Sequence, residues 1–170
     1  MSGPVVFLCT GNAARSVMAG AALAAHLPHW EVQTAGTLVV EGQPMSWRTK
    51  AALDGVGLSA ATHRSRQATG AELGQAALVI ALAPEHVHWV RRTHPEAAAR
   101  TATLRRLARH LPADDAPLTE RLARLDLAAV AMEDWEEVVD PGGGDADAFA
   151  ACAREVVDLV ATLAPRLEGR

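Results

Sequence analysis

The sequence predicts an α/β fold in a single domain, an open parallel sheet with helices on both faces. Short apolar runs typical of buried strands alternate along the chain with segments of helical periodicity. The 170 residues suffice for one sizeable core but not for two ordinary domains, so the domain is expected to span residues 1–170. With 49% hydrophobic and 21% charged residues, the composition excludes a mainly disordered chain.

Four segments have the pattern of strands. Residues 5–8 and 78–82 are continuous apolar runs, as expected of strands buried on both faces. Residues 31–35 alternate polar and apolar side chains, and residues 102–104 form a further short candidate. Ligands of open α/β sheets bind at the carboxyl ends of parallel strands, and Cys9 lies at such an end.

Helices are predicted between and after these strands. The Ala-rich segment 14–27 ends at Pro28, and Pro84 suits the first position of a helix that continues to about residue 93. Apolar periodicity predicts further helices at 46–53, 118–127 and 146–167. Residues 128–139 are compatible with helix, loop or a mixture, whereas 140–144, Asp-Pro-Gly-Gly-Gly, predict a flexible loop.

Charge and cysteine content restrict the partners and the compartment. A formal charge of −4 and a pI near 5.9 give no reason to expect binding to nucleic acid or to an anionic membrane. The N-terminus lacks a basic region, and the apolar run 5–8 is too short for a signal peptide or a membrane span, so a cytoplasmic protein is expected. Cys9 and Cys152 are too few for a disulfide scaffold or a four-cysteine metal site. A monomer or weak homodimer is expected.

The segment after the first strand has the composition of a phosphate-binding loop. A loop that leads onto a helix N-terminus presents backbone N–H groups to a tetrahedral oxyanion, and arginine adds two forked donors. The same positive field favours the ionised thiolate of Cys9, which serine can stabilise by a hydrogen bond. Cys9 is therefore the candidate nucleophile, and the candidate phosphate-binding residues are Thr10, Gly11, Asn12, Ala13, Ala14, Arg15 and Ser16.

Asp140 is the candidate general acid. Displacement of an alkoxide or phenoxide needs a proton donor for the leaving oxygen, and a flexible loop can bring a carboxylic acid over the phosphate site. Asp140 follows the apolar pair Val138-Val139 and precedes Pro141, whose ring fixes the entry to the loop.

Together these residues resemble the low-molecular-weight protein tyrosine phosphatase family, whose N-terminal loop reads V-C-x-G-N-x-C-R-S and whose acid is a late Asp-Pro. Further landmarks follow in the family's order: Thr34-Ala35-Gly36-Thr37, Gly42-Gln43-Pro44, residues 63–67 and Glu85-His86-Val87. The resemblance covers nearly the whole chain and implies a four-stranded parallel sheet. It also implies a phosphocysteine intermediate on Cys9, phosphate binding by Arg15 and acid–base catalysis by Asp140, with no metal or other cofactor.

The chain departs from the family pattern at three places. Ala14 replaces the second loop cysteine, so the disulfide that protects the nucleophile in such enzymes cannot form. Leu38 follows the Ala-Gly-Thr landmark and Gly142-Gly143 follow Pro141, where the family commonly has the aromatic walls of the pocket. Trp47 and Trp135 are candidates for a substitute surface.

Several functions are compatible with this pattern. The leading one is hydrolysis of a phosphomonoester, protein phosphotyrosine above all, with a phosphorylated protein or a small phosphomonoester as substrate. Bacterial relatives with a glycine-rich loop after Asp-Pro include protein-arginine phosphatases. An arsenate reductase of the same fold would need a resolving thiol, for which only Cys152 remains. A non-catalytic phosphate-binding module is the fourth alternative.

Overall fold

A computed structural model describes residues 3–170 and shows four parallel strands in one sheet. The strands are β1 (Val5–Cys9), β2 (Val32–Gly36), β3 (Leu78–Ala81) and β4 (Thr101–Thr103), arranged in the order β2-β1-β3-β4. The chain reverses its direction of travel across the sheet between β1 and β3, so a crevice opens at their carboxyl ends. The predicted single-domain parallel α/β fold is confirmed.

Seven α-helices are present in residues 3–170. They are α1 (Arg15–His26), α2 (Trp47–Gly55), α3 (Gly70–Gln75), α4 (Pro84–Thr93), α5 (Leu104–His110), α6 (Leu118–Ala123) and α7 (Ala146–Leu167). Two short 3₁₀ segments cover Pro95–Arg100 and Asp134–Glu136. No helix within residues 3–170 has both the length and the hydropathy needed to cross a membrane.

The sheet is buried on both faces because successive side chains of its central strands point to opposite sides. Val5, Phe7 and Cys9 belong to the larger core cluster, which also contains side chains from α1, α2, α5 and α7. Val6 and Leu8 pack into a smaller cluster with side chains from α3 and α4. The apolar run of β1 thus supplies both cores.

The C-terminal half differs from the sequence prediction at three elements. The helix predicted at 118–127 ends at Ala123, because Asp126 adopts a left-handed conformation with φ of 49°. The strand predicted at 102–104 ends at Thr103, whose hydroxyl caps the unpredicted helix α5 by accepting from the Arg106 N–H at 3.1 Å. Apart from the second 3₁₀ segment, residues 128–139 form no helix or strand and are mostly irregular.

Candidate active site

The loop that follows β1 leaves its backbone donors free. Within residues 3–170, the N–H groups of residues 11–14 donate no hydrogen bond to another protein group. Ala14, which precedes the first turn of α1, offers no side-chain cap to that helix. The loop and the helix N-terminus therefore retain a set of amides for an oxyanion.

Asn12 holds the loop in shape. It is the one residue of the loop with a positive φ, 51°, so Gly11 does not use the conformational freedom that glycine offers there. The buried amide of Asn12 donates to Ser16 Oγ at 2.9 Å and to Thr34 Oγ1 at 3.0 Å, and it accepts from the Arg66 N–H at 3.0 Å. Three segments of the chain thereby fix the loop.

The carbonyl of Asn12 is anchored by residues to which the sequence analysis gave no role. It accepts from His63 Nε2 and from Ser65 Oγ, each at 2.8 Å. Because a carbonyl only accepts, His63 carries its proton on Nε2. Burial lowers the pKa of His63 more than this hydrogen bond raises it. Both residues belong to the family landmark at 63–67, but their contacts with Asn12 span more than fifty residues of sequence.

Cys9 lies at the end of β1 in contact with Ser16. Its Sγ is 2.9 Å from Ser16 Oγ, and both side chains are buried. A hydroxyl at this distance is a hydrogen-bond donor for a thiolate. Ser16 also accepts from Asn12, so its own hydroxyl hydrogen is free to point at sulfur.

Arg15 connects the loop to the segment that carries the candidate acid. Its side chain is buried, and Nη1 donates to the carbonyl of Val138 at 3.0 Å. The other terminal nitrogen, Nη2, lies 3.7 Å from Asp140 Oδ2 and 4.0 Å from Glu85 Oε1. One guanidinium thus lies close to two carboxylates beside the loop.

Asp140 lies in the same cavity as the loop. Its carboxylate is 58% exposed, and Oδ1 accepts from the Gly142 N–H at 2.9 Å, so the turn itself orients the carboxyl group. Cys9, Arg15, Asp140 and Phe149 all line a cavity of about 310 Å³. That volume is at the small end of ligand sites and suits the head of one phosphorylated side chain.

A buried ion pair supports the segment that ends at Asp140. Glu136 is fully buried and accepts from Arg106 Nε and Nη2, each at 2.8 Å. Its carboxylate also accepts from the Thr103 hydroxyl and from the Glu133 N–H. Two residues later, the Val138 N–H donates to the Leu82 carbonyl just beyond β3, so the approach to the acid loop is bonded to the sheet.

The imidazole of His86 is buried beside the loop and is neutral. Burial, together with the nearby Arg15 guanidinium, lowers the pKa of His86 to about 3, although Asp140 acts in the opposite direction. Its Nε2 is 3.0 Å from Thr10 Oγ1 and 3.4 Å from Glu85 Oε1. His86 therefore supports Thr10 of the loop as a neutral hydrogen-bonding group.

The second cysteine is a weak candidate for a resolving thiol. Cys152 is a buried free thiol on α7 and does not line the cavity. Burial, followed by the charge of Glu155, raises the pKa of Cys152 to about 12. A thiol with such a pKa is a poor source of thiolate for a resolving role.

Comparison with protein families matches residues 4–124 to the model described as low molecular weight phosphotyrosine protein phosphatase. The chain belongs to this family. Its members are hydrolases of phosphorylated substrates, so the family indicates a phosphatase activity. The family membership predicted from the ordered sequence landmarks is confirmed.

Relatives of this phosphatase span its whole length. A protein-arginine-phosphatase of Geobacillus stearothermophilus is 30% identical over 165 residues, covering 96% of this chain and 95% of the relative. The solved YwlE arginine phosphatase of that organism, also 30% identical, superposes with a TM-score of 0.78 over 98% of this chain and 93% of its own. A low molecular weight protein tyrosine phosphatase from T. tengcongensis, 26% identical, gives 0.75 over 95% and 97%.

The apolar rim of this phosphatase consists of the exposed side chains of Leu38, Trp47 and Val139, and it contains no tyrosine. Trp47 and Val139 are next in sequence to Arg48 and Asp140, which line the cavity, although the rim side chains themselves do not line it. Val40 is a fourth exposed apolar side chain. Leu38 is joined to the loop through its N–H, which donates to the Thr10 carbonyl at 3.0 Å. Of the two tryptophans considered from sequence, Trp47 lies at this rim, whereas Trp135 packs against His110 and Arg109 on α5.

Proposed function

We propose that the chain is a cysteine-dependent protein phosphatase that hydrolyses phosphotyrosine through a phosphocysteine intermediate. The observation that supports it best is the meeting of Cys9, Arg15 and Asp140 in one cavity beside a loop with free amides. Each group occupies a position suited to a different task in phosphoryl transfer. Because both cysteines are free thiols, we also propose a reducing, cytoplasmic setting.

In the first step the thiolate of Cys9 attacks phosphorus in line with the leaving oxygen. The sulfur–phosphorus bond forms while the bond from phosphorus to the leaving oxygen breaks, and Asp140 gives its proton to that oxygen. The loop amides and Arg15 hold the remaining phosphoryl oxygens, where negative charge is concentrated. Ser16 stabilises Cys9 before attack through the 2.9 Å contact.

In the second step water releases the phosphoryl group. Asp140, now a carboxylate, takes a proton from the water as its oxygen attacks phosphorus. The phosphorus–sulfur bond breaks, inorganic phosphate leaves and the thiolate of Cys9 is restored, so the cycle consumes one water. Asp140 is 58% exposed, which leaves room for that water beside it.

The apolar rim supports an aromatic substrate. Leu38, which is bonded to the loop, and Trp47, which adjoins the cavity-lining Arg48, are each more than 60% exposed. A phosphotyrosine ring that enters this cavity covers part of that surface, at a gain of roughly 25 cal/mol for each Å² of apolar area removed from water. The ring and the phosphate are then recognised by different parts of the same mouth.

Protein-arginine phosphatase activity is a second candidate. The curated relative and the solved structure from Geobacillus stearothermophilus, each 30% identical to this chain, carry that name. The carboxylates of Glu85 and Asp140 both lie close to Arg15, and a substrate guanidinium pairs with such groups. In this reaction Asp140 would protonate the leaving nitrogen, and a phosphorus–nitrogen bond would break.

Phosphate release from para-nitrophenyl phosphate, followed without added metal from pH 5 to 8, tests the mechanism. The proposal expects turnover by the wild type, none by Cys9→Ser and a strong reduction of kcat by Asp140→Ala. Matched controls are Cys152→Ser and Glu137→Ala, which alter a buried thiol that does not line the cavity and an exposed carboxylate near the acid loop. Phosphotyrosine and phosphoarginine peptides of one sequence then separate the two candidates by kcat/KM.

Absence of turnover in a wild type with reduced Cys9 would contradict the phosphatase proposal. The two remaining hypotheses, an arsenate reductase and a non-catalytic phosphate-binding module, then make different predictions. Arsenate reduction coupled to an external thiol would proceed and would still need Cys9, whereas a non-catalytic module would bind a phosphopeptide without releasing phosphate.

A further inference from the structure

Arg48 brings a second guanidinium into the catalytic cavity. Its side chain lines the same cavity of about 310 Å³ as Cys9, Arg15 and Asp140. The residue belongs to the first turn of α2, which Ser46 caps by accepting from the Thr49 N–H at 3.2 Å. Thr49 in turn donates its hydroxyl to the Ala13 carbonyl at 3.1 Å, so this turn is bonded directly to the phosphate loop.

The charge of Arg48 has no counterion among residues 3–170. No carboxylate within residues 3–170 comes within 4.0 Å of its guanidinium, and the first turn of α2 contains no acidic residue. Its Nε is buried and has no hydrogen-bond partner within residues 3–170. By contrast, the guanidinium of Arg106 is paired with Glu136, and that of Arg66 is paired with Glu72.

Trp47 keeps this guanidinium in place. The Arg48 Cζ atom lies 4.8 Å from the centroid of the Trp47 ring, within the range of a cation–π contact. Such a contact occupies the face of the guanidinium and leaves its N–H edges for hydrogen bonds. Arg15 differs because one of its nitrogens is already committed to the Val138 carbonyl.

We propose that Arg48 is a specificity-determining residue that binds a carboxylate of the substrate, supplied by an acidic residue next to the phosphorylated one. This inference rests on the proposed function, because the phosphoryl group must first occupy the loop beside Arg15. A carboxylate accepts two parallel N–H bonds from a guanidinium, and an acidic neighbour in the peptide provides one at the rim of the cavity. The preferred substrate is then a phosphorylated residue in an acidic sequence.

Three peptides test the proposal, identical except that the residue after the phosphorylated one is Glu, Gln or Lys. They carry phosphotyrosine or phosphoarginine, whichever the wild type hydrolyses. For the wild type we expect kcat/KM at low salt to be about fivefold higher with Glu than with Gln, and lower still with Lys. Raising the ionic strength should reduce this ratio, because salt screens exposed charges.

The Glu/Gln ratio of kcat/KM should fall to about one in Arg48→Gln. Arg48→Lys, which keeps the charge but loses the fork, should give an intermediate ratio. The control Arg92→Gln removes an exposed arginine of α4 and should keep the wild-type ratio. Thermal unfolding shows whether each variant is folded, and if Arg48→Gln is not, the wild-type and Arg48→Lys ratios decide.

Two outcomes would overturn the inference. One is a wild type that hydrolyses the Glu and Gln peptides equally well, and the other is a preference for Glu that survives in folded Arg48→Gln. Failure of the wild type to hydrolyse any of these peptides or para-nitrophenyl phosphate is a different result. It would reject the proposed function itself, and with it the role of Arg48.

Discussion

At the scale of single residues, the two carboxylates beside Arg15 have unequal consequences. Asp140 is suited to exchange a proton with the substrate, so its charge changes during the proposed cycle. Glu85 lies 4.0 Å from the same nitrogen and contacts Thr10 at 3.4 Å, and it has no proton to transfer in that cycle. Its negative charge therefore opposes every phosphate dianion that enters the loop.

Glu85→Gln should consequently strengthen the binding of inorganic phosphate. Because Glu85 is 67% exposed, the gain is limited to about fivefold in the inhibition constant at low salt, and it should shrink as salt is added. Competitive inhibition of para-nitrophenyl phosphate hydrolysis measures it. Glu120→Gln is the control, since Glu120 also lies in the first turn of a helix, α6. An unchanged constant in Glu85→Gln would contradict the prediction.

At the scale of elements, the end of β2 is packed directly against the phosphate loop. A Cβ built on Gly36 would lie 2.4 Å from the Thr10 carbonyl oxygen and 3.0 Å from the Asn12 nitrogen. Neither backbone atom belongs to a flexible side chain, so the loop itself would have to move. The landmark glycine is thus explained by the close approach of two backbones.

Gly36→Ala should lower both stability and turnover. We expect the free energy of unfolding to fall by about 1–3 kcal/mol, as in other overpacked sites, and kcat to fall because the loop amides are displaced. The matched variant is Gly74→Ala in α3, where no atom lies within 4 Å of the added carbon. That variant should gain about 0.5–1 kcal/mol and keep its activity. Thermal unfolding and para-nitrophenyl phosphate kinetics measure both, and similar behaviour of the two variants would be the contradicting result.

The elements near the nucleophile could be predicted because their signals are local. Strand, turn and helix follow one another within the first 26 residues, and the chemistry of Cys9 and Arg15 lies between them. The supports of Asn12 could not be predicted in the same way. Thr34, Ser65 and Arg66 reach it across 22 to 54 residues, and hydrogen bonds of that separation leave no periodic pattern.

In the C-terminal half, the burial pattern was predicted correctly, but the predicted helix was too long. Leu122 and Leu127 are both buried, as the periodicity of 118–127 indicated. The backbone nevertheless leaves the helix, because Asp126 turns it with a positive φ. Helix α5 was missed because it has only seven residues, three of them Arg105, Arg106 and Arg109, and its stabilising contact is the Thr103 cap together with Glu136.

At the scale of the whole molecule, burial of titratable groups makes stability depend on pH. His86 has a pKa of about 3 in the folded chain against 6.5 for an ordinary histidine. As pH falls below 6.5, the unfolded chain binds a proton that the folded chain does not. Stability is therefore fully present above pH 6.5 and is lost progressively as pH falls toward 3, by up to about 1.4 kcal/mol per pH unit.

His86→Gln should reduce this dependence between pH 6.5 and 5 and leave the contribution of His63, whose pKa is also lowered by burial. That window lies above the ordinary carboxyl value of 4.5, so Glu136 contributes little to it. Burial raises the pKa of Glu136, but hydrogen bonds from Arg106, Thr103 and the Glu133 N–H lower it by more, so its pKa is below the ordinary value. The contribution of Glu136 to stability is therefore lost only at more acidic pH. Urea unfolding at several pH values measures the slope, with His88→Gln, an exposed neighbour on α4, as the control. A slope in His86→Gln equal to that of the wild type would refute the assignment.

The hydrogen bond between Arg15 and the Val138 carbonyl joins parts of the chain that are 123 residues apart. Ribosomal synthesis delivers the nucleophile first and the acid loop near the end, followed by α7, which packs against α1 and α2. Closing so distant a contact is slow compared with forming the local loop. A nascent chain would therefore contain the residues of the phosphate loop well before it can form a complete catalyst. Recovery of activity after dilution from denaturant should coincide with completion of the whole fold.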